Sequence, residues 1–386
     1  MKIGSVDLQP PFALAPMAGM TDTAFRRLVK RKGGCGLVVS EMVSSEGLVR
    51  GIDRTLEYAE YTEEERPVAI QIFGGDPEKM AEAAQIVEGM GADVVDVNMG
   101  CPVPKIAKHN AGCSLMREPR HAQSIVAAMV KAVRIPVTVK MRAGWTDGEI
   151  NAPELARRMA DAGASAVAVH GRTAAQSYTG EADWELIARV ASEAGIPVFG
   201  SGDCIEPQQI VDRMRQASGV LVGRGALRNP WIFEQAAAIA RGEQPREITL
   251  EERGRFLLEY IDLLINERTG EAAGFRHVAA SEPPPERAVR GHERWIINKL
   301  RALNSWYTKG IENGSHLRVA VNAAESLPHL RAIIETFFSN LEPSNPQSSI
   351  TNPQSISNLQ SEISNSQGRF SQSLATASSS PASRIS

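Results

Sequence analysis

Eight short runs of β-branched and other apolar residues recur along the first 240 residues, and stretches with helical apolar spacing separate them. Segments such as PEKMAEAAQIVEGMG and PELARRMADAG end in glycine, as helices commonly do. Strands that alternate with helices form a parallel sheet, and eight such units predict an α/β fold, a (β/α)8 or TIM barrel over residues 1–240. The predicted strands are 12–16, 37–42, 68–74, 94–100, 137–142, 166–172, 198–203 and 220–225.

The chain changes character after residue 240. The segments TLEERGRFLLEYIDLLINE, RWIINKLRALNSWYTK and SLPHLRAIIETFF predict three amphipathic helices, which we assign to a small helical domain over residues 241–340. Residues 269–291, rich in Pro, Gly and Glu, predict a loop insertion between the first two helices. Residues 341–386 are rich in Ser, Asn and Gln and predict a disordered tail with no catalytic role.

Charge and cysteine content exclude several protein classes. The four cysteines have no short paired spacing, so we expect neither a disulfide framework nor a metal site. The cysteine usage suits a reducing cytoplasm, and we expect no membrane attachment, because the N-terminus lacks the pattern of a signal peptide and no run reaches the length of a membrane span. A net charge of -3 argues against a globally basic nucleic-acid binder but leaves room for a local basic patch.

Polar residues end nearly every predicted strand. Catalytic groups of TIM barrels sit at the carboxyl ends of the strands, where an ordinary structural barrel needs little more than small turn residues. The sequence therefore predicts an active site at that end of the barrel. The polar strand-end residues, in strand order from the second to the eighth, are Ser40 and Glu41, Gln71, Asn98, Lys140 and Arg142, His170 and Arg172, Ser201 and Asp203, and Arg224.

Two glycine-containing turns, FGSGD and VGRGAL, follow the seventh and eighth strands and lead into helices. Free backbone N–H groups at such helix starts bind phosphate. Each turn by itself fits an ordinary strand-to-helix connection equally well. Because both occur at the strands where TIM barrels usually bind phosphate, together they predict a phosphate site.

Lys140 ends a Val-rich strand and needs an anionic partner, because an unpaired buried ammonium is costly. The partner is either the anionic ring edge of a reduced flavin or a carboxylate, from Asp96 or Glu41. Gln71 either hydrogen-bonds a flavin ring or satisfies neighbouring backbone. His170 either contacts flavin or phosphate, or is a structural histidine.

Cys101 follows the fourth strand in the motif NMGCP, and Pro102 keeps this loop from continuing as a strand or helix. An ordinary thiol is protonated at neutral pH, so Cys101 can serve as a general acid. The alternative is a small buried hydrophobic residue, the role we assign to Cys35 and Cys204. Cys113, in NAGCSLM, is the competitor for the acid role.

Taken together, the motifs resemble those of the tRNA-dihydrouridine synthase family, specifically its bacterial B-type branch. They run in order over residues 13–233, and the helical domain fits the same family. Three features depart from the family pattern: Ser201 stands where Asn is usual, Cys113 stands where Ala or Ser is usual, and the insertion is atypical. The matching segments are APMAGMTD, VSEM, QIFG, DVNMGCPVPK, AGCSLM, VTVKMR, VHGRT, SGD and VGRGALRNPWIF.

This resemblance implies an enzyme that binds flavin mononucleotide (FMN) and uses NADPH to reduce the C5=C6 bond of uridine in tRNA. Cys101 would protonate C5 while hydride passes from flavin N5 to C6, and Asn98 and Arg172 would hold the uracil. His170 would lie beside the flavin, and Gln71 and Lys140 on its ring. The remaining implied flavin contacts are Pro16, Met17 and Ala18 along the flavin, and Ser201, Gly202, Asp203, Gly223 and Arg224 around its ribityl chain and phosphate.

A basic run in the helical domain offers a surface for tRNA. Residues 287–318 hold seven basic and two acidic residues, with Trp295, Trp306 and Tyr307 among them. The pattern predicts phosphate contacts with base stacking, or else a solvated basic face over an aromatic core. Arg294 and Lys299 represent the basic run as candidate tRNA contacts, and Lys105 and Lys108 beside Cys101 are two more.

Two rival functions remain at this point. One is a flavin barrel that acts on a free pyrimidine, such as a dihydroorotate dehydrogenase, which needs no basic helical domain. The other is a catalytically silent RNA-binding protein, against which the presence of both Cys101 and Lys140 argues. For the tRNA enzyme we expect a monomer.

Overall fold

The structure, a computed structural model, describes residues 1–107, 110–266 and 286–339, without the side chains of Lys105 and residues 286–290. Eight parallel strands close into a barrel, because the last pairs with the first and β4 pairs with β6. The predicted TIM barrel is confirmed. Its strands are β3 (Phe12–Leu14), β4 (Leu37–Val39), β6 (Val68–Phe73), β7 (Val94–Met99), β8 (Val137–Arg142), β9 (Ala166–His170), β10 (Val198–Ser201) and β11 (Gly219–Val222).

Helices follow the strands, and several start at a capping side chain. The Asp22 carboxylate accepts a hydrogen bond from the Phe25 amide at 2.9 Å, and Asp76 and Asp183 cap two later helices in the same way. Each cap satisfies an amide that the helix itself leaves without a partner. The helices are α1 (Thr23–Lys32), α2 (Ser45–Val49), α3 (Asp53–Ala59), α4 (Pro77–Gly89), α5 (Pro104–Ala107), α6 (Pro119–Ala132), α7 (Ala152–Asp161), α8 (Trp184–Glu193), α9 (Pro207–Arg213), α10 (Arg224–Arg228) and α11 (Ile232–Ala240).

An N-terminal hairpin of β1 (Lys2–Ile3) and β2 (Val6–Asp7), which the sequence analysis did not predict, closes the amino end of the barrel. Ile3 and Leu8 are fully buried in one apolar cluster with the first residues of β4, β7 and β9. A short strand, β5 (Val43–Ser44), pairs with the carboxyl end of β6, whereas β4 pairs with the amino end of β6. With the amino end closed, the carboxyl ends of the strands form the open mouth of the barrel.

Within the part of the chain that the structure describes, four helices follow the barrel rather than the three predicted: α12 (Leu250–Asn266), α13 (Glu286–Tyr307), α14 (Gly314–Ala323) and α15 (Leu327–Ser339). The short α14 buries only Gly314, Leu317 and Val321, a face too narrow to stand out in the sequence. The predicted insertion was wrong at its C-terminal end, because α13 already begins at Glu286. The rest of the insertion, 269–285, and the predicted tail, 341–386, lie outside the described residues.

Aromatic packing joins these helices to the barrel. The Phe25 ring of α1 meets the Phe256 ring edge-on at 6.1 Å between centroids, and Phe256 stacks on Tyr307 at 5.5 Å. Apart from Tyr178–Gly180, the described residues from Met1 to Ser339 form one compact unit. The predicted division into two domains at residue 240 stays a prediction. No helix within the described ranges is long and apolar enough to cross a lipid bilayer.

Candidate active site

A buried chain of polar side chains crosses β6, β7 and β8. The parallel register sets Gln71 beside Asp96 and Asp96 beside Thr138. Asp96 accepts hydrogen bonds from Thr138 Oγ1 at 2.6 Å and from Gln71 Nε2 at 2.7 Å, and Gln71 Oε1 accepts from Asn98 Nδ2 at 2.7 Å. Burial raises the pKa of the Asp96 carboxyl, and these hydrogen bonds oppose the rise. Side chains, rather than the neighbouring backbone, therefore hold the Gln71 amide.

Asn98 fixes the loop that carries Cys101. Its Oδ1 accepts hydrogen bonds from the Gly100 amide at 3.2 Å and the Cys101 amide at 2.9 Å. The Cys101 side chain is partly exposed, and burial raises the pKa of its thiol above the ordinary value. Cys101 is therefore a protonated thiol at neutral pH, as a proton donor must be.

The other three cysteines are buried. Burial raises the pKa of the Cys113 and Cys35 thiols to about 11 and that of Cys204 to about 12. Cys113 is 1% exposed, and its amide donates a hydrogen bond to the Cys101 carbonyl at 3.1 Å. Cys113 therefore stabilises the backbone of the Cys101 loop. Because Cys101 is partly exposed and Cys113 is buried, a substrate can reach Cys101 more easily, which favours Cys101 as the acid.

Arg142, at the end of β8, holds the same loop from its other side. Sequence analysis noted this residue as a strand end but gave it no role. Its buried guanidinium donates hydrogen bonds to three backbone carbonyls: Gly100 at 2.9 Å, Thr173 at 3.0 Å and Ser177 at 2.8 Å. Only the folded backbone brings these carbonyls together, so no sequence pattern could have identified the contact.

Replacing Arg142 by methionine is expected to lower the free energy of unfolding by about 2 to 4 kcal/mol, because it leaves buried carbonyls without donors. Arg142→Lys should recover only part of this loss, since one ammonium cannot reproduce the planar fork of donors. Urea unfolding followed by circular dichroism measures both, with the exposed Arg134→Met as a control that stays near wild type. Equal stability of Arg142→Met and wild type would contradict the assigned contacts.

Lys140 lies next to Asn98 in the register of β7 and β8, so the ammonium and the Cys101 loop share one side of the mouth. Among the residues that the structure describes, no carboxylate comes within ion-pairing distance of the Lys140 ammonium: Asp96 is held as above, and Glu41 pairs with Lys299. Burial first, and then the charge of Arg142, lower the pKa of Lys140 to about 8. The alternative ion pair with Asp96 or Glu41 is therefore not formed.

His170 ends β9, opposite Arg142 in the strand register. Its Nδ1 lies 3.1 Å from the Arg172 amide and accepts that hydrogen bond, which puts the ring proton of the neutral histidine on Nε2. Burial and then the charges of Arg142 and Lys140 hold the pKa of His170 well below its usual value. At neutral pH His170 is thus an uncharged donor in an electropositive mouth.

Asp203, in the turn after β10, forms salt bridges with two arginines. Its carboxylate lies 2.8 Å from Arg172 Nη2 and 3.3 Å from Arg224 Nη2, and it also accepts the Ala182 amide at 2.8 Å. Asp203 adopts a positive φ of 56°, which turns the chain sharply after Ser201. Asp203 therefore holds the arginine side chains in position at the mouth.

The mouth fits an anionic cofactor. Among the described residues no carboxylate lies within ion-pairing distance of the Lys140 ammonium, and the nearby Arg142, Arg172 and Arg224 add three positive charges, two of which pair with Asp203. A Cβ on Gly223 would come 3.4 Å from the Met17 sulfur, so the first loop and the turn after β11 approach closely. Pro16 and Lys140 line the same cavity of about 30 Å³ inside the barrel. Residues predicted to hold a flavin thus come together.

Comparisons with known proteins show the family of the chain. A family model described as "Dihydrouridine synthase (Dus)" matches residues 13–282. A "Probable tRNA-dihydrouridine synthase" of Rickettsia bellii is 37% identical over 88% of this chain and 98% of its own length. The chain belongs to the dihydrouridine synthase family.

Further relatives give the same result. The "tRNA-dihydrouridine synthase B" of Xanthomonas axonopodis pv. citri is 36% identical over 88% of this chain and 96% of its own, in line with the predicted B-type branch. Among solved structures, histamine dehydrogenase from Rhizobium sp. 4-9 aligns with a TM-score of 0.50 at 13% identity, over 68% of this chain and 50% of that chain. That similarity reflects the shared barrel fold alone.

The basic run of residues 287–318 is not a single exposed face. Arg294 is exposed, as a tRNA contact requires. Lys299 was predicted to contact tRNA, but it is 8% exposed and its ammonium lies 2.9 Å from Asp22 and 3.4 Å from Glu41. That prediction does not fit, because two carboxylates already hold the charge. Lys108 and the side chain of Lys105 lie outside the described residues.

A cleft of about 610 Å³, lined by Met116, Trp145 and Asn151 among others, was not identified by the sequence analysis. The Arg117 guanidinium stands 5.0 Å over the Trp145 ring in its wall, and Asn151 Nδ2 donates to the Met116 carbonyl at 2.6 Å to join the two sides. Within the described ranges, no group of three or more His, Cys, Asp and Glu side chains could hold a metal ion.

Proposed function

We propose that this chain reduces uridine in tRNA to dihydrouridine, with FMN bound at the barrel mouth and NADPH as the source of electrons. One observation supports this most strongly. A partly exposed, protonated thiol, Cys101, lies at the same mouth as an ammonium, Lys140, that has no carboxylate at ion-pairing distance among the described residues. Family membership and the names of the relatives agree with the reaction.

The flavin would be held mainly by charge and by close-packed loops. Lys140 would face the anionic edge of the ring, with Gln71 and the uncharged Nε2–H of His170 nearby. A bound flavin would supply the hydride that adds to C6 of the uracil ring. The remaining proposed contacts are Pro16, Met17 and Ala18 along the ring and Ser201, Gly202, Asp203, Gly223 and Arg224 around the ribityl chain and phosphate.

Cys101 would complete the reduction by donating its proton to C5. Addition at C6 builds negative charge on C5 and the uracil O4, which a nearby acid must quench. Burial raises the pKa of the Cys101 thiol, and the nearby charges of Arg142 and Lys140 partly oppose that rise, which stabilises the thiolate that the donation leaves. The partial exposure of Cys101 allows its reprotonation from water.

Asn98 and Arg172 would orient the uracil. The Asn98 oxygen accepts from the Cys101 loop, and one amide hydrogen is donated to Gln71. Among the described residues, the remaining hydrogen meets only the Met42 sulfur at 3.8 Å. That weak contact is the one a uracil carbonyl would replace. The salt bridge with Asp203 orients the guanidinium of Arg172. The base must leave its stack in the tRNA to reach these two residues, at a cost of a few kcal/mol. Contacts between the tRNA and exposed basic residues such as Arg294 would offset this cost.

The affinity of the protein for FMN is expected to fall as pH rises from 7 to 9. Because the pKa of Lys140 is lowered to about 8, the free protein loses this charge above pH 8, and binding a flavin ring edge that accepts a hydrogen bond from the ammonium must then take the proton back up. The loss approaches about tenfold per pH unit above that pKa. Quenching of FMN fluorescence measures it, and Lys140→Met should abolish the slope. An equal slope in both proteins would contradict the role of Lys140.

The substrate class can be tested by the reoxidation of reduced enzyme without oxygen. Holoenzyme reduced by NADPH is mixed with unmodified tRNA, with free uracil or with orotate, and the return of flavin absorption is followed. We expect rapid reoxidation by tRNA alone. Reoxidation by a free pyrimidine but not by tRNA would favour the free-pyrimidine enzyme, and a protein that never binds flavin would favour a silent RNA-binding role.

A further inference from the structure

A buried ionic cluster joins the helices that follow the barrel to the first loop of the barrel. The Lys299 ammonium of α13 lies 3.0 Å from the Gly19 carbonyl, 2.9 Å from Asp22 Oδ2 and 3.4 Å from Glu41 Oε1. The Tyr260 hydroxyl of α12 donates to the same Asp22 oxygen at 2.7 Å. Two helices far along the chain thus converge on residues 19–22.

All of these groups are shielded from water, with Lys299, Asp22 and Glu41 each less than 10% exposed. The attraction between buried charges offsets their desolvation only when the geometry is good and the remaining hydrogen-bonding positions are filled. Here the three ammonium hydrogens have three acceptors. Removing Lys299 would leave two carboxylates buried without their cation, so the position of this lysine is strongly determined.

The cluster fixes the loop of residues 16–20. Glu41 uses its second oxygen to accept the Gly19 amide at 2.5 Å, so the N–H and the C=O of Gly19 are both held. The Met17 amide donates to Thr21 Oγ1 at 3.0 Å, next to Asp22 in the chain. Gly19 has a φ of 80°, which favours glycine at this turn. The same loop brings the Met17 sulfur against the turn after β11.

Helix α13 also presents a second, exposed side. Arg294 and Asn298 are exposed, whereas Lys299, Leu300 and Leu303 are buried. Arg294 and Lys299 are five residues apart and so point about 140° apart around the helix. The side proposed to meet RNA and the side that holds the loop therefore belong to one rigid element.

We propose that Lys299 is a positioning residue that holds the 16–20 loop against the flavin and ties that loop to helix α13. This rests on the proposed function for the identity of the flavin. It replaces the predicted role of Lys299 as a phosphate contact, and the two roles have opposite consequences. A phosphate contact changes RNA affinity and its dependence on salt, whereas a loop anchor changes the flavin site.

The test compares Lys299→Met with Arg294→Met, a variant on the exposed side of the same helix. Three quantities are measured on each full-length variant: the Kd for FMN with the flavin absorption spectrum, the Kd for unmodified tRNA over a series of salt concentrations, and hydrogen exchange of the 17–21 amides without flavin. Tyr260→Phe, which removes only one hydroxyl from the cluster, covers the case in which Lys299→Met does not fold.

We expect Lys299→Met to weaken FMN binding at least tenfold, alter the flavin bands and speed exchange of the loop amides, with tRNA affinity and its salt slope close to wild type. Arg294→Met should do the reverse and reduce the salt slope by about one. Unchanged FMN binding and loop exchange in Lys299→Met, or in Tyr260→Phe if only that variant folds, would overturn the proposal. If the wild-type protein binds no FMN, the proposed function fails, and the exchange measurement still decides whether Lys299 anchors the loop.

Discussion

Cys101→Ala is expected to lower the rate of tRNA reduction by about 10² to 10⁴, the range that a general acid contributes. Reduction of the flavin by NADPH should stay close to wild type, because the thiol takes part only when the uracil is protonated. Stopped-flow measurement separates the two half-reactions. In the first, NADPH bleaches the flavin absorption, and in the second, tRNA restores it.

Cys113→Ala is the matched control. Cys113 is buried and touches the Cys101 loop through its backbone amide, which alanine retains. The substitution should leave both half-reactions within a few-fold of wild type. If Cys113→Ala blocks the second half-reaction and Cys101→Ala does not, the assignment of the acid is wrong.

Lys140→Met is expected to weaken FMN binding by about 10- to 100-fold, the range for the loss of a hydrogen bond to a charged group. The free protein should become more stable, by about 1 to 3 kcal/mol. The lowered pKa of Lys140, about 8, means that the fold disfavours the ammonium at pH 7, and methionine removes that cost.

FMN titration and urea unfolding of the flavin-free protein measure the two effects of Lys140→Met. Lys131→Met is the control, because Lys131 is exposed on α6, away from the mouth, and should change neither quantity. A Lys140→Met protein that binds FMN as wild type does, or that is less stable without it, would contradict the view that Lys140 is kept for an anionic ligand.

The barrel could be predicted from sequence because its strands are buried on both faces and therefore appear as continuous apolar runs. The run VTVKMR matches β8 at both ends, and the other predicted strands overlap observed ones. The N-terminal hairpin could not be found in this way. Its strands have two residues each, too few for a periodic pattern, and Ile3 and Leu8 owe their burial to the shape of the barrel.

The site was predictable where a residue ends a strand, because parallel strands bring their carboxyl ends to one mouth whatever lies between them. Lys140, His170 and the loop with Cys101 followed from that rule. Contacts between elements that are far apart in the sequence did not follow from this rule. Lys299 lies in a basic run that suggests a solvated face, and its burial depends on Asp22 and Glu41, more than 250 residues earlier. The role of Arg142 could not be predicted either, because its partners are backbone carbonyls that only the fold brings together.

The most direct test of the central claim is the mass of the RNA product. Unmodified tRNA is incubated with the flavin-loaded protein and NADPH, digested with ribonuclease and analysed by mass spectrometry, beside a reaction with Cys101→Ala. Reduction of one uridine predicts a gain of two daltons on a uridine-containing fragment, dependent on NADPH and lost in the variant. An unchanged tRNA mass with the wild-type protein, while free uracil or orotate is reduced under the same conditions, would contradict the account.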